Sequence, residues 1–170
     1  IKELNVGVYC FSADWLWGAL RQIPLSKKGE YYLTETVALA VNAGLAVQSL
    51  VGDDLSEIIG INTRVHLAEA EAAMRMRINQ SHMLAGVTII DPNTTYIEPE
   101  VLIGQDTVIW PNTHLRGKTV IGTGCSIGPD TLTEDTTIGN ACTILAAVME
   151  KALVEDNVSV GPFAHLRKGT

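Results

Sequence analysis

A six-residue period in the second half of the chain limits its fold more than any other feature. Aliphatic residues recur at Ile97, Ile103, Ile109, Leu115, Ile121 and Ile127, six apart. After a slip they resume at Ile138 and Ile144, and after another at Val148, Val154, Val160 and Leu166. Glycine follows several of them, at Gly104, Gly122, Gly128, Gly139 and Gly161. A small or β-branched residue recurs four places on, at Thr107, Thr113, Thr119, Cys125, Thr131, Cys142, Val158, Ala164 and Thr170. A hexapeptide period held this long is the mark of a parallel β-helix, in which each repeat forms one short side of a coil. An irregular β-sandwich would not keep one phase over so many repeats.

Three sides make a coil of about eighteen residues, and successive coils stack about 4.8 Å apart. Thr107 and Cys125 then stack. One five-residue repeat falls between Ile127 and Ile138, so Cys142 stands seventeen residues after Cys125 and still one coil on. Ile103, Ile121 and Ile138 should form an interior ladder. The two cysteines read as small buried hydrophobes in a narrow core.

The first half, residues 1–86, has a different grammar and reads as α/β. In Leu4-Asn5-Val6-Gly7-Val8-Tyr9-Cys10 the apolar residues alternate, as in a strand, leaving Asn5 and Gly7 on the other face, where they could line a ligand cleft. Ser12 caps a helix through Leu20, and Thr34 caps a second that ends at Gly44. Ala46–Val51 is strand-like, Gly52-Asp53-Asp54 turns the chain, and Thr63 begins a long helix over 64–84 that stops at Gly86. Glu71 and Arg75 stand at the stabilising i,i+4 spacing on it. The β-helix takes residues 87–170.

Composition narrows the partners. Twelve Lys plus Arg against nineteen Asp plus Glu give a net charge of −7, and no basic run occurs, which argues against nucleic acid. No apolar stretch is long enough for a membrane span, and the N-terminus has charges where a signal peptide needs an apolar core. Cys10, Cys125 and Cys142 are odd in number and form no C-x-x-C pair, which fits a reducing cytoplasm. His66, His82 and His114 are scattered, and His66 with Glu69 makes a poor metal site on one helix. The chain opens at Ile1 without Met and closes at Thr170 inside a repeat, so it is expected to be a piece of a longer protein.

Together, the local motifs resemble one family. They are Glu3-Leu4-Asn5-Val6-Gly7, Gly29-Glu30-Tyr31-Tyr32-Leu33-Thr34-Glu35, Gly60-Ile61-Asn62-Thr63-Arg64, Ala85-Gly86-Val87-Thr88-Ile89 before Asp91-Pro92, and Gly161-Pro162-Phe163-Ala164-His165-Leu166-Arg167. Their order and spacing are similar to the bacterial bifunctional N-acetylglucosamine-1-phosphate uridyltransferase and glucosamine-1-phosphate N-acetyltransferase. The resemblance implies the C-terminal part of a Rossmann-like nucleotidyltransferase domain, a linking helix, and a left-handed parallel β-helix that forms a homotrimer. It implies a cytoplasmic transferase that makes UDP-N-acetylglucosamine for peptidoglycan from glucosamine-1-phosphate, acetyl-CoA and UTP, with Mg²⁺ at the uridyltransferase site.

By the same resemblance Asn5 contacts the sugar nucleotide, and Asn62 contacts it and ligates Mg²⁺ through a neutral oxygen. Thr34 lies near the sugar phosphate. Arg167 binds the acceptor sugar phosphate, a role suited to a fixed guanidinium fork. Leu4 and Val6 stand where the family has Ile and Thr, and Lys168 stands where Pro is common. The family's catalytic residues fall outside the 170 residues, His165 is not the catalytic histidine, and the piece alone is expected to be inactive. Two other readings compete: a structural trimerisation module, and a related sugar-phosphate nucleotidyltransferase such as ADP-glucose pyrophosphorylase. A hexapeptide carbonic anhydrase would need three zinc-binding histidines that His114 and His165 do not supply.

Overall fold

The computed structural model describes residues 5–52, 54 and 58–169. The chain divides into two compact units, Ile1–Ile58 and Ile59–Thr170, so the long helix belongs with the repeats.

In the first unit, helix α1 (Ala13–Leu20) packs on helix α2 (Glu35–Asn42), burying Ala19, Thr36 and Ala40. Ser12 and Thr34 take the N-cap positions, yet neither side chain bonds to its helix. Ahead of α2 the amides of Glu35 and Thr36 already donate to Tyr32 and Leu33 carbonyls at 3.1 and 3.0 Å, so Thr34 has no orphan donor there to serve. Gly44, at φ +70°, closes α2 with a Schellman pair, Leu45 N–H to Ala40 and Gly44 N–H to Val41.

The strands expected at Leu4–Cys10 and Ala46–Val51 are not formed among the described residues, which include neither Leu4 nor the turn residue Asp53. Alternation alone cannot make a strand without a neighbour to complete its ladder. Within the first segment Gly7 is left-handed at φ +78° and donates its N–H to Asn5 Oδ1 at 2.9 Å, a local turn that ends any extension.

The second unit opens with helix α3 (Arg64–Leu84). Thr63 Oγ1 accepts the His66 N–H at 3.2 Å as its N-cap, and Arg75 pairs with Glu71 at 3.1 Å. Fourteen strands of two or three residues follow among the described residues, in three parallel sheets of five, five and four. One interior ladder runs Ile89, Ile109, Ile127, Ile144, Val160. The second runs Ile97, Leu115, Thr133, Met149, Leu166, and the third Ile103, Ile121, Ile138, Val154. Ile109, Leu115, Ile127, Ile138 and Ile144 are all buried, each contributing about 1.5–3 kcal/mol.

One rung differs from the sequence reading. Met149, not Val148, points inward; Val148 pairs outward with Leu132 and His165. Two successive five-residue sides, 144 to 149 and 149 to 154, replace a four-residue jump and a six-residue side. Met149 stacks on Thr133, where a long unbranched chain complements a small one. On five-residue sides the inward corner residue comes third rather than fourth after the ladder residue, as Thr136, Ala147 and Ala152 do.

These corner residues also complete the hydrogen bonding. Thr107 Oγ1 donates to the Gly122 carbonyl at 2.8 Å and accepts the Cys125 N–H at 3.1 Å. Cys125 Sγ repeats the pattern with the Gly139 carbonyl at 3.1 Å and the Cys142 N–H at 3.4 Å. Thr119 accepts from Thr136 N–H, and Thr136 from Ala152 N–H. The glycines after the third ladder stack too: a Cβ on Gly122 would lie 2.6 Å from the Gly139 carbonyl oxygen.

Helix α3 packs on the first coil. Buried Asn79 donates through Nδ2 to the Pro92 and Thr95 carbonyls at 3.0 and 3.1 Å. The Arg75 guanidinium lies 4.6 Å from the Tyr96 ring centroid, and Tyr96 stacks on His114 at 4.6 Å.

Two outcomes are expected. Thr107→Val strands the Cys125 N–H, with a loss of about 1–3 kcal/mol in urea unfolding, whereas Cys125→Thr, which keeps both bonds, costs less. For His114, burial and then the nearby Arg116 charge hold the pKa below the ordinary 6.5. The folded protein therefore takes up this proton less readily than the unfolded chain. The resulting stability is full above pH 6.5 and lost as pH falls through the depressed folded value. Melting curves of His114→Phe should show a shallower fall over that window. His82, also lowered by burial, leaves a residual slope.

Candidate functional site

The candidate residues fall in three places. Asn5 and Thr34 belong to the first unit, Asn62 precedes α3, and Arg167 stands on the last described coil. The Asn5 side chain is engaged locally: Oδ1 accepts from Gly7 N–H and Nδ2 donates to the Tyr9 hydroxyl at 2.6 Å. Thr34 is exposed. Asn62 donates its backbone N–H to His66 Nδ1 at 3.3 Å, and because Thr63 supplies the cap of α3, the exposed Asn62 amide has no capping duty. As an Mg²⁺ site this is insufficient: a hard cation needs several oxygen ligands, and the described residues hold no metal-competent group of His, Cys, Asp or Glu.

Arg167 is exposed and lines a shallow hollow of about 310 Å³ with Glu134, Glu150, Lys151 and Lys168. Glu150 Oε2 lies 3.1 Å from His165 Nε2, and Glu134 is in register with Arg116 one coil below. Three cations and two carboxylates share the rim of the hollow. Lys151 and the glutamates are the part that motif reading misses. The coil period could have found them, since Lys151 precedes Lys168, and Glu150 precedes Arg167, by seventeen residues, one coil.

Fold and sequence together define a hexapeptide-repeat solenoid: a family model described as bacterial transferase hexapeptide (six repeats) matches residues 100–135. The chain is 49% identical over 168 residues to the bifunctional protein GlmU of Caldanaerobacter subterraneus subsp. tengcongensis, covering 98% of this chain and 36% of that protein. Against the GlmU of Clostridioides difficile it is 45% identical over 168 residues, 98% of this chain and 37% of that protein. Over nearly its whole length the chain is homologous to a stretch of GlmU proteins, and it spans a little over a third of the length of the curated relatives it matches. Among solved structures, the acetyltransferase domain of PglB from Neisseria gonorrhoeae, determined with acetyl coenzyme A, matches with a TM-score of 0.24 and 12% identity, over 58% of this chain and 62% of that one.

The cap geometry separates two neighbouring residues. Thr63→Ala should lower the stability of α3 by about 1 kcal/mol, while Asn62→Ala should leave the helix melting curve almost unchanged.

Proposed function

We propose that the chain is part of a cytoplasmic bifunctional enzyme that acetylates glucosamine-1-phosphate from acetyl-CoA and then transfers uridylyl from UTP to give UDP-N-acetylglucosamine, a peptidoglycan precursor. The observation behind this reading is the 45–49% identity to GlmU proteins over 98% of the chain. In it the first unit is the end of a Rossmann-like nucleotidyltransferase domain, α3 is the linking helix, and the solenoid is left-handed and assembles as a homotrimer.

Arg167 binds the phosphate of the acceptor sugar. Its guanidinium offers parallel N–H donors to two phosphate oxygens. Asn5, Thr34 and Asn62 face the sugar nucleotide; the free amide of Asn62 and hydroxyl of Thr34 suit them to it better than Asn5, whose amide is spent in its own turn. The uridylyl step is assigned no metal-dependent role for these residues, because Asn62 contributes a single neutral oxygen.

Calorimetric titration with glucosamine-1-phosphate tests the assignment. Arg167→Ala should weaken binding about tenfold or more, the range of hydrogen bonds to charged groups, and Arg167→Lys should recover only part because the fork is lost. Equal affinity in wild type and Arg167→Ala would remove Arg167 from the site. Light scattering should return three times the chain mass, and thiol-release and pyrophosphate-release assays on the 170 residues alone should stay at background.

A further inference from the structure

The first coil has no coil beneath it, and one side chain of α3 makes up part of what is missing. Along the second side of the solenoid a carbonyl of each coil accepts an N–H from the coil below: Thr113 from Tyr96, Thr131 from His114, Ala147 from Leu132 and Ala164 from Val148, at 2.8 to 3.0 Å. Tyr96 is in register with His114, so Thr95, one residue earlier, stands at the foot of this column of carbonyls. Its carbonyl accepts instead from Asn79 Nδ2 of α3, at 3.1 Å in a buried bond. The other Nδ2 proton goes to the Pro92 carbonyl at 3.0 Å. Both donors of the amide are thus engaged by first-coil carbonyls. These also fix which way round the amide sits, since turned over it would set oxygen against oxygen.

The place is an unusual one for an amide. Arg75, Ile78, Asn79, His82 and Met83 share one face of α3 by their i, i+3, i+4 spacing. Ile78 and Met83 pack on the core, yet of the described residues of α3 only the polar Asn79 is fully buried. Its Oδ1 has no hydrogen-bond partner among the described residues. A buried acceptor without a partner is unfavourable, and an apolar residue would fill the position without that penalty.

We infer that Asn79 is a keyed cap: its side-chain amide replaces the peptide N–H of the missing coil and holds α3 in one register on the solenoid. Ile78 and Met83 supply adhesion that has no direction. The amide supplies direction, because a helix slid or turned by one residue would leave Nδ2 and the Thr95 and Pro92 carbonyls all without partners. The covered edge is also closed to a strand from another chain. This goes beyond the proposed function and does not rest on it.

Hydrogen exchange of the whole 170-residue chain, read segment by segment by mass spectrometry, tests the cap. It compares wild type with Asn79→Asp, Asn79→Leu and, as a control for the added charge, Gln80→Glu at an exposed neighbour. Asn79→Asp sets a carboxylate against two carbonyls and should speed exchange about tenfold or more over residues 75–84 and 93–97, the effect of buried groups left unpaired, while residues 113–160 exchange as in wild type. Asn79→Leu keeps the volume and removes both donors, and it should speed the same two segments alone. Gln80→Glu should match wild type. An Asn79→Leu chain whose α3 exchanges as slowly as wild type would overturn the inference, because packing alone would then seat the helix. Acceleration by Asn79→Leu spread evenly through residue 160 would make Asn79 part of the global fold rather than a local cap and would also overturn it. So would a Gln80→Glu chain that exchanges like Asn79→Asp. If Asn79→Asp does not fold, Asn79→Leu decides by the same criteria.

Discussion

Everything in the second unit depends on how the corners of its coils satisfy their backbone amides. A short strand pairs its own N–H groups with the coil above or below, but at each corner the backbone turns away from that ladder, and a buried donor left there would cost about 1–3 kcal/mol. Threonine and cysteine answer this with one side chain. Thr107 and Cys125 each donate to a carbonyl of the following coil and accept an N–H from it, so that Thr107, Cys125 and Cys142 are linked through successive coils. The thiols act here as hydrogen-bonding corner residues. Burial raises the Cys125 pKa, which keeps it in the thiol form that can donate.

The same corners place the charged hollow. Because a coil returns the chain to the same corner after sixteen to eighteen residues, side chains far apart in sequence arrive together: Glu134, Glu150 and Lys151 meet Arg167 and Lys168 without any loop built for the purpose. At the other end of the unit, α3 covers the first coil through Asn79 and through the Arg75, Tyr96 and His114 stack. The solenoid thus has its lowest coil occupied by a helix and its basic hollow on the last described coil.

Much of this was legible in the sequence, and the limits are physical. The ladders Ile103, Ile121, Ile138 and Ile109, Ile127, Ile144 follow from spacing alone, because most inward positions of this narrow solenoid take an aliphatic side chain. The choice between Val148 and Met149 does not, since both counts arrive at Val154 and only the small Thr133 beneath decides between them. The extents of α2 and α3 were set by Thr34, Gly44, Thr63 and Gly86, though only Thr63 caps with its side chain. The strand reading of Leu4–Cys10 failed over its described residues for a different reason: alternation describes one edge of a ladder, and no neighbouring strand is present among the described residues to supply the other. The hollow around Arg167 shows the same boundary, since a motif names one residue while its companions appear only once the coil lengths are known.

The shortening of the coils has a consequence for how such a chain can change. Along the third ladder successive rungs are eighteen, seventeen and sixteen residues apart, yet the ladder stays in register throughout. Each rung resets the count, so a residue lost at a corner is forgotten one strand later rather than propagated. The heritable unit is therefore the side and not the coil: insertions and deletions of a single residue can accumulate at corners while the inward positions keep their identity, and two such solenoids can drift far out of numerical step and still superimpose strand on strand.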